Sequence, residues 1–472
     1  MGRLVIVSNR VPPPKSTASA GGLAVGLKLA LARDGGMWFG WSGKTVPAAS
    51  KKPTVVVVDG ICYVTTDLSR QEYREYYCGY TNRTLWPVCH YRVDLATFDD
   101  RFRRTYHQVN DRFAHQLGSM LEPDDVVWVH DYHLIPLGAR LRALGHEGPI
   151  GFFLHIPFPV REIFSALPEH DDLVRKLFAY DLVGFQTETD HRAFSDYVVR
   201  ELGGTVSTAG TAQMGRRRVH TGVFPIGIDP DHFARLAVSP RGRKLAARMK
   251  DSLHGRELVV GVDRLDYSKG LPQRLHAFER LLERHAELRG RVSMLQIASP
   301  SRSDVPEYMN IRQELERACG HINGRYADFD WVPVRYVNKA YGREALAGLL
   351  RVGRVGLVTP LHDGMNLVAK EYVAAQDPED PGVLVLSKFA GAAHQLDGAL
   401  IVNPHDISEV AGAIHRGFEM DVAERRARWT RMMVSIRRDT IDRWRDDFLA
   451  ALMGDAVPLP LAGRSRRRLR AV

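Results

Sequence analysis

Short continuous runs of β-branched and aliphatic residues recur along this chain, and they constrain it more than any other feature. LVIVSN, VVWVHD, IGFFLHI and LVGFQT lie in the first half; LVVGVDRL, VSMLQIAS, VGLVTP, GVLVLS and ALIVNP lie in the second. Each is about 4–8 residues long and apolar throughout rather than alternating, the pattern of strands buried on both faces. Amphipathic stretches separate them. Residues 167–181 and 270–285 read as helices, the latter placing Leu271, Leu275, Phe278 and Leu282 on one face. Strand and helix in alternation predict parallel sheets with right-handed crossovers, an α/β fold. The pattern runs twice, over roughly 1–230 and 255–405, with a polar, basic connector between. We expect one domain over 1–232, a second over 233–445, and over 446–472 a helix end followed by a basic, disordered tail. A ligand is then expected in the cleft between the domains, at the carboxyl ends of the strands.

Composition removes several classes of function. With 44% hydrophobic and 25% charged residues the chain is globular rather than disordered. No apolar run reaches the roughly 18–20 residues of a membrane span. The start MGRLVIVSNRV has too short an apolar stretch for a secretion signal, and the four scattered cysteines (Cys62, Cys78, Cys89, Cys319) form neither a disulfide framework nor a C-x-x-C zinc motif. A cytoplasmic location is expected. The formal charge of +10 raises the question of a nucleic-acid or phosphate partner.

The strand ends carry the chemistry. Arg10 closes the first run, and Gly21 and Gly22 precede a helical pattern, where backbone N–H groups can approach a phosphate; a plain flexible turn is the alternative. His130, Asp131 and His133 end the run VVWVHD, either as ligand contacts or as helix caps; their spacing fits no standard metal motif. His155 ends the next. In VDRLDYSKGL, Arg264, Lys269 and Gly270 set two cations beside a helix N-terminus, as a diphosphate would require; a turn salt-bridged through Asp263 and Asp266 is the alternative. Arg302 adds a third cation. In TPLHDGMNLVAKEYVAA, Asp363 and Glu371 bracket a turn that Asn366 is placed to cap, and carboxylates there would accept sugar hydroxyls.

The motifs SAGGLAVGL, WFGWSG, EYY with LWP, HDYHL, GFFLHIPFP, GFQTE, RLDYSKGL, INGRY, DGMNLVAKEYVAAQ and LSKFAGAA run in order, with SNR before them, from residue 8 to residue 393. Together they closely resemble those of bacterial trehalose-6-phosphate synthases, retaining glycosyltransferases of the GT-B fold. The resemblance implies two Rossmann-like parallel-sheet domains facing across a cleft. It implies transfer of glucose from a nucleotide-glucose donor (UDP-, GDP- or ADP-glucose) to glucose 6-phosphate, giving α,α-trehalose 6-phosphate. It implies that Arg10, Tyr77, Asp131 and Arg302 hold the acceptor, and that Trp86 and Ile156 select its anomer. On the donor side Gly21 and Gly22 lend backbone donors, Arg264 and Lys269 neutralise the diphosphate, and Glu371 takes the ribose. Asp363 and His155 grip the transferred glucose, Leu367, Val368, Ala369 and Lys370 give backbone contacts, and Tyr341 lies near the base. Asp131, His155, Arg264, Lys269 and Asp363 form the implied catalytic set.

The resemblance implies no metal and no cofactor, although two literal D-x-D triplets exist, Asp229-Pro230-Asp231 and Asp328-Phe329-Asp330. It implies a homo-oligomer, dimer or tetramer. His362 stands where arginine is usual in the family, and residues 214–220 carry a basic cluster where relatives vary. Glucosylglycerol-phosphate synthases and pseudo-glycosyltransferases share the donor motifs and are the alternative. No G-x-G-x-x-G string suggests a dinucleotide enzyme. The charge excess then reads differently. Five arginines follow Gly463, half of the formal +10, and four proposed phosphate ligands are basic, so no nucleic-acid partner is expected.

Overall fold

The computed structural model describes residues 2–14, 24, 26–28, 30, 31, 35–302 and 304–454. The apolar runs form two sheets. The first has ten strands in the order β3-β4-β2-β1-β5-β6-β7-β10-β9-β8. Its parallel centre comprises β1 (Leu4–Arg10), β2 (Gly36–Val46), β4 (Ile61–Ser69), β5 (Val126–His130), β6 (Ile150–Phe153), β7 (Leu182–Phe185) and β10 (Arg217–Val223). Antiparallel β3 (Thr54–Val58), β8 (Thr205–Val206) and β9 (Thr211–Met214) finish the two edges. The basic cluster at 214–220 is the turn and outgoing strand of the β9–β10 hairpin, with Gly215 at φ 59° in the turn.

The second sheet is wholly parallel, in the order β13-β12-β11-β14-β15-β16. Its strands are β11 (Glu257–Arg264), β12 (Val292–Ser299), β13 (Val334–Val337), β14 (Val355–Val358), β15 (Val383–Ser387) and β16 (Leu400–Val402). Strand order reverses between β11 and β14, which opens a crevice at their carboxyl ends. The first sheet reverses in the same way between β1 and β5, which pair in register with Ser8 opposite His130. All strands of the first sheet precede residue 232 and all strands of the second follow it; on that ground we propose the division of the chain there.

The helices used below are α1 (Asp100–Gly118), α2 (His170–Leu177), α3 (Pro230–Ala237), α4 (Leu271–Arg284), α5 (Pro306–Tyr326), α6 (Leu367–Ala375), α7 (Ile407–Glu419), α8 (Val422–Arg438) and α9 (Ile441–Met453). The stretch 167–181 is helical over α2 only. Asp229 caps α3, its carboxylate accepting the His232 N–H at 2.8 Å, so the first D-x-D triplet is a helix start. In the second, Asp330 pairs with Arg256 at 2.7 Å.

The chain ends by crossing back. Helix α9 lies on the first sheet, where Phe448 stacks on Trp128 with centroids 4.7 Å apart and Trp444 stands 4.8 Å from the same ring. A Cβ at Gly151 or Gly184 would meet the Phe448 ring at 2.7 or 2.8 Å, so those strand glycines make room for the helix. The proposed boundary at 445 falls inside α9. The tail beyond 454 lies outside the described residues.

Candidate functional site

Three segments converge from the first sheet. Arg10, at the end of β1, is exposed and lies over the Trp41 ring at 5.8 Å. Gly43, at φ 87°, leaves the space its guanidinium occupies. Between β4 and α1 the chain winds into thirteen residues of π-helix, Tyr73–Leu85, a rare geometry that recurs at functional sites. It presents Tyr77 between Trp41, 5.2 Å away, and His133, 6.3 Å away, and hands the chain on to Trp86. Beyond β5, Asp131 adopts φ 79° and ψ 165°, a conformation costly for any residue but glycine. Its carboxylate accepts the His155 backbone N–H at 3.2 Å, and the residue as a whole is half-buried. Burial raises its pKa to about 6 against the opposing pull of the Tyr132 and His155 N–H groups, Arg302 and Arg264.

His155 sits in a relay of side chains. Gln186 Oε1 accepts the Ile226 N–H at 3.0 Å, which turns the Gln186 amide nitrogen toward His155 Nδ1 at 3.4 Å. That nitrogen is therefore the acceptor, and the proton sits on Nε2, 3.0 Å from His130 Nδ1. Burial lowers His155 to about 3, so the imidazole is neutral.

The second sheet supplies charge. Arg264, at the end of β11, is exposed, and among the described residues it has no ion pair; its guanidinium lies 5.5 Å from the Trp86 ring. Lys269 Nζ bonds Asp363 Oδ2 at 2.5 Å, and the Asn366 amide donates to the same oxygen at 3.0 Å. Burial works to raise the Asp363 carboxyl, but Lys269 and Asn366 outweigh it and hold it below the usual carboxylate range. Asn366 occupies the residue before α6 with φ 70°, yet its side chain does not cap the helix as expected; it is spent on Asp363. The turn-type salt bridge weighed for this segment does not form. Asp263 pairs with Arg274 at 2.6 Å and Asp266 pairs with Arg302 at 3.1 Å.

Asp266 is the residue that motif reading undervalued. It is fully buried and has five donors. One oxygen takes the Ser268 N–H and the Ser268 hydroxyl, each at 3.0 Å, and the Trp86 indole N–H at 3.3 Å; the other takes Arg302 and the Tyr308 hydroxyl, each at 3.1 Å. Arg302 also donates to the Tyr132 hydroxyl at 3.1 Å and stacks on Trp86 at 3.9 Å, and His90 stacks on the same indole at 4.0 Å. Its terminal nitrogens are thus engaged within the protein, whereas among the described residues Arg10 and Arg264 have no ion pair. No spacing rule signals Asp266, because all its partners but Ser268 come from two distant segments, one at Trp86 and one holding Arg302 and Tyr308.

The domains touch at Gly364. A Cβ there would stand 2.2 Å from the His155 carbonyl oxygen and 3.2 Å from Ile156 Cα, so only glycine lets the Asp363 turn reach the end of β6. Ile156 is buried against this contact. Tyr341, Leu367, Val368 and Glu371 of the second domain are half-buried, and the Glu371 carboxyl is raised to about 7 by burial despite Arg343. Ala369 is fully buried. Lys370 does more than the backbone contact expected of it: its buried ammonium donates to the Ile226 carbonyl at 2.6 Å, and burial lowers it to about 7. His362 packs edge-on against Tyr91 at 4.5 Å and is lowered to about 4 by burial, so it brings a neutral ring where an arginine would bring a cation. Gly21 and Gly22 lie outside the described residues.

A family model, glycosyltransferase family 20, matches residues 3–453. The chain belongs to glycosyltransferase family 20. Within this family it is 50% identical over 453 residues to a trehalose-6-phosphate synthase of Sinorhizobium fredii, covering 95% of this chain and 98% of that one. Among solved family 20 structures it superposes with a TM-score of 0.93, at 51% identity, on a UDP-forming α,α-trehalose-phosphate synthase of Burkholderia xenovorans in complex with glucose 6-phosphate, covering 96% of this chain and 100% of that one. An Escherichia coli relative bound with UDP-2-fluoro glucose matches at a TM-score of 0.92 and 47% identity, covering 96% of this chain and 99% of that one. The GT-B architecture expected from the motifs is that of this chain.

Proposed function

We propose that this protein transfers glucose from a nucleotide-glucose donor to glucose 6-phosphate with retention, giving α,α-trehalose 6-phosphate and a nucleoside diphosphate. The observation that carries this reading is the cleft itself. Exposed Arg10 and Arg264, one from each sheet, flank a floor of carboxylates and aromatic rings, as two phosphorylated sugars require. The relatives' substrates agree: glucose 6-phosphate in the Burkholderia xenovorans complex, and a UDP-glucose analogue in the Escherichia coli one. The same relatives support uridine as the base.

In this reading Arg10 and Arg302 face the acceptor phosphate, Tyr77 packs on the acceptor sugar and Asp131 accepts its hydroxyls. Trp86 and Ile156 shape the acceptor's anomeric end. Arg264 and Lys269 hold the donor diphosphate and stabilise the charge that grows as it leaves. Asp363 grips the glucose. One oxygen of Asp363 is already bound by Lys269 and Asn366, which suits a fixed sugar ligand better than a free nucleophile. Same-face attack follows, with the departing diphosphate taking the proton of the acceptor hydroxyl. His155 lines the glucose pocket as a neutral ring, Glu371 takes the ribose hydroxyls, Tyr341 lies beside the base, and the α6 N-terminus from Leu367 to Lys370 faces the donor. Gly21 and Gly22 belong to the same proposal.

Among the described residues no helix is long and apolar enough to cross a membrane. Cytoplasmic residence and a homo-oligomeric state complete the proposal; four free cysteines support the first, and sedimentation would measure the second. The deciding experiment incubates the protein with UDP-, ADP- and GDP-glucose and with glucose 6-phosphate or glycerol 3-phosphate. Trehalose 6-phosphate together with nucleoside diphosphate is expected. No product with glucose 6-phosphate overturns the reading.

A further inference from the structure

Far from the cleft, the second domain joins the C-terminus of α4 to the middle of α7 through two histidines and a carboxylate. His285 ends α4, Glu287 follows two residues later, and His415 projects from α7. The two imidazoles stack with centroids 3.6 Å apart and planes 16° from parallel. Glu287 Oε1 lies 3.1 Å from His285 Nδ1 and 3.9 Å from His415 Nε2. One ligand atom from each of the three residues falls within 4.8 Å of the others. Tetrahedral zinc with bonds of about 2.0–2.2 Å needs donors roughly 3.3–3.6 Å apart, so the three groups must draw together and the two imidazoles must rotate out of their stack to aim both lone pairs at one ion.

A second observation makes this more than a chance cluster. His415 Nδ1 lies 3.2 Å from Glu419 Oε2, one turn further along α7. With the Nδ1 proton donated to that carboxylate, the Nε2 lone pair is left facing Glu287. A carboxylate behind a histidine in this way fixes the tautomer and raises ligand basicity, as outer partners of metal-bound histidines do. Two imidazoles and one carboxylate suit a late first-row divalent ion, above all zinc.

We propose that His285, Glu287 and His415 bind one divalent transition-metal ion, with Glu419 orienting His415. The ion would staple α4 to α7. Helix α4 begins beside Lys269 and, at about 1.5 Å per residue, carries the staple about 21 Å away from the cleft. The site therefore supports the second domain and takes no part in transfer.

The test is calorimetric titration of the chelator-treated full chain with Zn2+ alone in a non-coordinating buffer. One saturable site is expected, abolished in His415→Ala and in Glu287→Gln and weakened about 10–100-fold in Glu419→Ala. Turnover should stay within about twofold of wild type in all three variants. The absence of saturable uptake, or uptake of equal affinity in both His415→Ala and Glu287→Gln, overturns the proposal. The two variants change different elements, so a folding defect in one, read by circular dichroism, leaves the other decisive.

Discussion

Asp266 divides its carboxylate between Trp86 and Arg302, one oxygen to the indole N–H and the other to the guanidinium. Burial would raise this acid, but Arg302, Arg264 and Lys269 outweigh that and keep it ionised. Asp266→Asn should leave a buried arginine unpaired and loosen Trp86 and Arg302, both proposed for the acceptor side. Breaking such a pair costs about 3–5 kcal/mol. We expect a lower melting temperature and a rise of about tenfold or more in KM for glucose 6-phosphate, with KM for the donor changed far less. Equal changes in both constants would mean general loosening instead.

Gly364→Ala tests the domain contact. Its methyl group would overlap the His155 carbonyl, and backbone cannot swing aside as a flexible side chain can. The Asp363 turn must then retreat from β6. Displacements of about 1 Å at a reacting centre cost about a hundredfold. A fall in kcat/KM of about that size with an unchanged circular dichroism spectrum is expected, and wild-type kcat/KM would refute the contact.

Lys269 and Asp363 should act as a unit. Lys269→Met strands a buried carboxylate, and Asp363→Asn strands a buried ammonium; either should cost about 3–5 kcal/mol of stability. The double variant should be more stable than the single effects sum to, a coupling that a double-mutant cycle in urea will measure. Activity should be lost in all three.

The pH response of acceptor binding should trace to Asp131. Its carboxyl, raised to about 6 by burial, must be ionised to accept sugar hydroxyls, so KM for glucose 6-phosphate should climb as pH falls through 6. Asp131→Asn should lack that limb, leaving only the titration of the substrate phosphate near 6. The stability sign is opposite. A raised acid keeps its proton in the folded state between about 4 and 6, so ionisation above that range works against folding. Asp131→Asn should therefore gain about 1–3 kcal/mol at pH 7.5 while losing activity, measured as a higher melting temperature.

How far the sequence foretold this molecule depends on where each signal lives. Strand ends were readable because apolar runs stop abruptly at charged residues, so Arg10, Asp131 and Arg264 stood out in the chain itself. The π-helix was not readable, since nothing local to YREYYCGYTNRTL distinguishes a wider turn from an ordinary one. Asp266 looked like a turn acid because Trp86 and Arg302 meet it only after folding. The relay from Gln186 through His155 to His130 was hidden for the same reason, as was the approach of His415 to His285.

The return of α9 to the first sheet has a mechanical meaning. The chain passes between domains twice, and the two passages run together: the Ile441 N–H bonds the Ile228 carbonyl at 3.2 Å, and Gly227 is pressed against the Asp439 carbonyl. The first passage is moored on both banks, by Gln186 on one side and Lys370 on the other. A doubled ribbon flexes across its flat face and resists shear along it. Gln186 also holds His155, so a rotation of one domain against the other about these passages would be felt directly at the proposed glucose site.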